Sequence, residues 1–130
     1  MNIPDSSEAM VPIESMHTVL YCQKWQECVA FYRDTLGFPV ALENEVFSEL
    51  QSGPGSFIGL INATRSKRRS SCTHDNYLLS FRVSDVELLH EILQKRWQGV
   101  SVLKDHPWGA RLFILHDPEG RRLEFWSNAG

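Results

Sequence analysis

One order of elements, a strand, a helix and then three strands, can be read twice along this 130-residue chain, the second time about 60 residues after the first. Residue identity between the two stretches is weak, so what repeats is a pattern. A module of this kind cannot close on itself, because its helix covers one face of a four-stranded sheet and leaves the other open. Two modules side by side form a curved sheet of eight strands with a cleft on the inner face, the natural place for a small molecule. The expected fold class is therefore α+β, with two βαβββ modules forming a curved eight-stranded mixed sheet around a central cleft.

The first module starts with Met16–Cys22 (MHTVLYC), β-branched and aromatic enough for a strand. A helix is predicted over 25–36, where Trp25, Cys28, Val29, Tyr32 and Leu36 make one apolar stripe. Gly37 ends it as a left-handed cap and Pro39 blocks continuation. Short strands are predicted over 38–42, 46–51 and 57–62, separated by turn residues. The second module has a strand over 77–83, then a helix to about Trp97 with Val86, Leu89, Leu93 and Trp97 on one stripe. Ser84 and Glu87 have capping-box spacing at its start. Strands over 101–104, Ala110–His116 and 121–127 follow. Asp117-Pro118-Glu119-Gly120 fits a type I turn between the last two, with Asp capping the backbone, Pro fixing φ and Gly at the exit. In the final strand Glu124 interrupts the apolar run Leu123, Phe125, Trp126, and a carboxylate there needs water, a cation, a hydrogen-bond donor or a metal.

The expected layout is a flexible tail over 1–14 and one domain over 15–128, with module 1 at 15–63, a linker at 64–75 and module 2 at 76–128. The formal net charge of −3 argues against a general nucleic-acid or membrane-surface binder. The four basic residues in the polar linker read as a solvated loop. No apolar run approaches the roughly 20 residues of a membrane span, and the acidic start is not a secretory signal. Three cysteines with no C-x-x-C pair suit a reducing cytoplasm. Cys22 and Cys28 read as buried thiols, and Cys72 in the linker as a more reactive one.

Three segments, His17–Phe38, 78–93 and 108–126, resemble the vicinal oxygen chelate superfamily of glyoxalase I, extradiol dioxygenases, fosfomycin-resistance enzymes and bleomycin-resistance proteins. AFYRDTLGF, LLSFRVSDVELLHEIL and D-P-E-G followed by L-E-F carry the likeness. The resemblance implies a homodimer that binds a small molecule and, in metal-using members, one divalent ion (Zn, Ni, Mn or Fe) held from four strand positions. His17 and Glu124 stand at two of these; the other two fall near Gly59 and Leu78, which carry no ligand. If no metal binds, His17 and Glu124 could pair as acid and base. Period-two geometry places Val19 and Tyr21 beside His17, Ser80 and Arg82 beside Leu78, and Arg122 and Trp126 beside Glu124. Arginines in an apolar cleft suit a carboxylate or phosphate, and Tyr21, Phe57, Phe113 and Trp126 either stack on a planar ligand or pack in the core. The candidate ligand-binding set is Tyr21, Phe57, Ser80, Arg82, Phe113, Arg122 and Trp126, and no residue is assigned as catalytic. Two functions follow: a binder of a small aromatic or anionic molecule with an incomplete metal site, or a divalent-metal lyase, isomerase or dioxygenase using His17 and Glu124.

Overall fold

The computed structural model describes residues 10–65 and 76–129. Most of the expected tail and linker, with Cys72 and the basic residues of 66–69, lies outside the described residues. Module 1 comprises β1 (Met16–Cys22), α1 (Trp25–Ala30), β2 (Val40–Glu43), β3 (Phe47–Gly53) and β4 (Ser56–Asn62). Module 2 comprises β5 (Leu79–Arg82), α2 (Val86–Arg96), β6 (Lys104–Asp105), β7 (Ala110–His116) and β8 (Arg122–Asn128). The eight strands form two four-stranded sheets, ordered β1-β4-β3-β2 and β5-β8-β7-β6. In each, the first and last strands of the module run parallel and the remaining pairs are antiparallel.

Two local readings change. The helix predicted over 25–36 is α-helical only through Ala30 and continues as a π-helical stretch, Phe31–Thr35. The wider turn still buries Phe31 and Tyr32 before Gly37 exits at φ 76°. The cap of α2 is Asp85 rather than Ser84: its carboxylate accepts from the Leu88 N–H at 3.0 Å. Glu87 is thereby freed to turn outward and accept from Arg111 at 2.7 Å.

Alternation along the strands sorts each sheet into an inner and an outer face. The inner faces carry Leu20, Cys22, Leu50, Ile58 and Leu60 in the first sheet and Phe113, Leu115, Leu123 and Phe125 in the second, all buried in one core with residues of both helices. Aromatic contacts cross between modules there, with Phe31 at 4.6 Å from Trp97 and Phe38 at 6.0 Å from Phe81, ring centre to ring centre. Because both inner faces turn toward one core, the outer faces look away from it.

The predicted turn after β7 forms as read, and it also locks the modules together. Gly120 adopts φ 86° and its N–H donates to Asp117 O at 2.9 Å. Asp117 Oδ1 accepts from the N–H groups of Glu119 and Arg121, both at 2.9 Å. Its Oδ2 accepts from Tyr32 of module 1 at 2.8 Å and from the Arg121 guanidinium at 3.0 Å. Arg121, 1% exposed, also donates to the Tyr21 carbonyl and to the Tyr77 hydroxyl. Glu119 accepts from the Lys24 N–H at 2.6 Å. Burial alone would push the Arg121 guanidinium down; the Asp117 carboxylate, together with Cys22 and Tyr32, more than offsets it and holds the group above its ordinary value. Burial, then Asp117, raises the Tyr32 phenol well above its usual range.

Candidate functional site

The outer face of the first sheet is built by β1, β4 and β3 in register. Tyr21 lies beside Ile61 and Phe47, Val19 beside Gly59 and Glu49, and His17 beside Phe57 and Gln51. Val19 is 46% exposed, a high value for an apolar side chain at the centre of a β-strand. His17 stacks on Phe57, with centroids 4.7 Å apart and planes 8° from parallel. Its Nδ1 lies 2.8 Å from Glu49 Oε2, diagonally across the glycine position, and its Nε2 lies 2.8 Å from Ser15 Oγ. Gly59 lets the Phe47 ring lie across this part of the sheet: a Cβ there would stand 2.8 Å from Cε2 of Phe47.

The outer face of the second sheet carries Ser80, Arg82, Arg122, Glu124 and Trp126. The Ser80 hydroxyl donates to Glu124 Oε1 at 2.9 Å. The Arg82 guanidinium sits 5.3 Å from the Trp126 ring centre, close enough for cation–π attraction. Ile114 and His116 of β7 are the register partners of Glu124 and Arg122. The combination puts an indole ring, a guanidinium over it and a second arginine on one sheet face, groups suited to an aromatic ring bearing an anionic group.

Phe113 is a correction. The register pairs it with Phe125, so it faces inward, is 0% exposed and stacks on Phe125 at 5.4 Å. Strand periodicity could not reveal which of the two sets on β7 would face the core. Tyr21, Phe57 and His17 share the outer face of one sheet, and Ser80, Arg82, Arg122, Glu124 and Trp126 that of the other. The acid–base pair considered for His17 and Glu124 does not form, because His17 engages Glu49 and Ser15 while Glu124 engages Ser80. Glu49 was missed by sequence reasoning. No local signal marks it: the pairing of β4 with both β1 and β3 brings Glu49 within reach of His17.

The donors of one chain do not fit a divalent ion. Both ring nitrogens of His17 are already hydrogen-bonded, Gly59 and Leu78 have no donor, and no cluster of three or more His, Cys, Asp or Glu able to hold a metal exists among the described residues.

Comparison with known proteins places this architecture. A Bacillus subtilis protein, the uncharacterized protein YraH, is 28% identical over 120 residues, covering 82% of this chain and 92% of its own. A glyoxalase/bleomycin resistance protein/dioxygenase from Nocardioides superposes with a TM-score of 0.74 at 20% identity, over 94% of this chain and 87% of that one. Lactoylglutathione lyase from Agrobacterium tumefaciens superposes with a TM-score of 0.73 at 20% identity, over 90% and 95%. At such identities the two solved structures show a shared fold. The sequence profile of one family matches residues 15–125, nearly the whole of both modules, and the chain belongs to the glyoxalase/bleomycin resistance protein/dioxygenase superfamily.

Proposed function

We propose that this protein is a small-molecule binder whose cleft is completed by a second copy of the chain. The first-sheet face of one protomer, with Tyr21, Val19, His17 and Phe57, would stand opposite the second-sheet face of its partner, with Arg82, Arg122, Glu124 and Trp126. The observation carrying this reading is that both faces bearing the candidate residues point away from the shared core. A concave site using both sets needs two chains. The favoured ligand is a planar aromatic molecule with a carboxylate or similar anion, since Trp126 and Phe57 supply π surface and Arg82 and Arg122 supply charge. No metal is required, and a metal would have to displace one of the two hydrogen bonds on His17.

Light scattering with tryptophan fluorescence tests the reading, using a series of aromatic carboxylates such as benzoate, salicylate and 2-naphthoate as probes. The expected result is a two-chain mass and saturable quenching that is lost in Arg82→Ala with Arg122→Ala. A monomer that binds none of the series would overturn it. Thermal melting of EDTA-treated protein with Mn, Fe(II), Co, Ni and Zn separates the alternative. A metal that stabilises wild type but not Glu124→Gln would replace this reading with a metal-dependent enzyme.

A further inference from the structure

We propose that Ser15, His17 and Glu49 form a hydrolytic relay for small activated carboxylic esters. The relay consists of one chain's atoms and does not depend on the paired cleft proposed above. A carboxylate only accepts hydrogen bonds, so the 2.8 Å contact with Glu49 Oε2 places the hydrogen of the neutral imidazole on Nδ1. Nε2 is then the free lone pair, and the group 2.8 Å from it is the Ser15 hydroxyl. Nucleophile, base and orienting carboxylate thus follow the connectivity of a serine hydrolase triad, which is recognised by geometry and roles rather than by position in the sequence. The ring is held in place twice, by the Glu49 bond along its edge and by the Phe57 stack on its face.

Ser15 is anchored although it precedes β1. The next residue, Met16, donates its N–H to the Gly55 carbonyl at 2.7 Å. Glu14 O lies only 3.1 Å from where a Cβ on Gly55 would stand, and Gly55 has φ 69°, so the hairpin between β3 and β4 packs directly beneath the serine. The relay is open to substrate, with the His17 side chain 40% exposed and Glu49 19% exposed.

The chemistry balances with water as the only co-reactant. Ser15 Oγ attacks the ester carbonyl carbon while its proton passes to His17 Nε2. The C–O bond to the leaving alcohol breaks, and the alcohol departs with the proton from Nε2. Water then attacks the acyl-serine, gives a proton to Nε2, and the acid leaves as Ser15 Oγ recovers that proton. A relay wetted on one side favours esters with good leaving groups, because these place the least demand on protonation and charge stabilisation. Aryl esters meet that requirement, and the Phe47, Phe57 and Tyr21 side chains share the same sheet face.

The test is reaction of the purified full chain with a fluorophosphonate probe, with peptide mass spectrometry to locate the adduct, and turnover of 4-nitrophenyl acetate. The expected result is one adduct on Ser15, absent in Ser15→Ala. His17→Gln should lower both labelling and ester turnover by about 10²-fold or more, the usual contribution of a positioned base. Glu49→Gln should slow both while the folded far-ultraviolet spectrum is kept. Absence of any adduct on wild type, an adduct on the hydrogen-bonded neighbours Ser52 or Ser56 instead, or Ser15 labelling indifferent to His17→Gln would each overturn the proposal.

Discussion

Replacing Asp117 by Asn keeps the shape of the side chain but removes its charge at the centre of the inter-module lock. The carboxylate accepts from two backbone N–H groups on Oδ1 and from Tyr32 and Arg121 on Oδ2. An Asn that keeps its oxygen toward the backbone turns its amide N–H₂ toward Tyr32 and Arg121. Tyr32 can rotate its hydroxyl and accept, but a guanidinium has no acceptor to offer. A buried cation is then left facing a donor, with the Arg121 side chain 2% exposed. Breaking a buried ion pair in this way costs about 3–5 kcal/mol, against roughly 1 kcal/mol for an ordinary hydrogen bond. At this chain length each kcal/mol moves the melting temperature by about 3–5 °C, so a fall of about 9–25 °C is expected. Circular dichroism with urea and thermal unfolding reads it. If Asp117→Asn does not fold, Asp117→Asn combined with Arg121→Met should, because removing both charges removes the stranded one. A loss below about 1 kcal/mol in the single variant, or a double variant less stable than the single one, would refute the argument.

Asp85→Ala should cost about 1 kcal/mol in urea unfolding, whereas Ser84→Ala should cost little, because the Leu88 N–H is capped by Asp85. Stability should fall as pH rises above 10. Tyr32 ionises at its ordinary value in the unfolded chain but is held protonated above that value in the fold, so the unfolded state releases its proton first. Tyr32→Phe should flatten the alkaline slope in a series of urea melts between pH 8 and 11.

The strands of the closing hairpin were the most legible part of the chain. Asp117, Pro118 and Gly120 act locally, and Ala110–His116 is found over the span predicted for it. The same turn hid its larger role. Nothing near Arg121 in sequence shows that its guanidinium will meet the Tyr21 carbonyl, 100 residues earlier. Facing was equally opaque on β7, where apolar residues occupy both sides and only the pairing with β8 sends Phe113 inward. In β1 the period of two put His17, Val19 and Tyr21 on one face, and the structure turns that face outward while Leu20 and Cys22 are buried. Glu49 shows the limit on the candidate site: its meeting with His17 depends on strand order, a property of the whole sheet.

The docking of the closing turn onto the first strand also dictates a timetable for synthesis. At about 5–20 residues per second, a ribosome reaches Arg121 about 5–20 s after Tyr21. Until then the nascent first module lacks its Asp117 partner for Tyr32, and for part of that time also Trp97 and Phe81, against which Phe31 and Phe38 pack. The first module is thus made early but completed late, and the interval in which its aromatics stay uncovered is when a chaperone able to shield them would matter most.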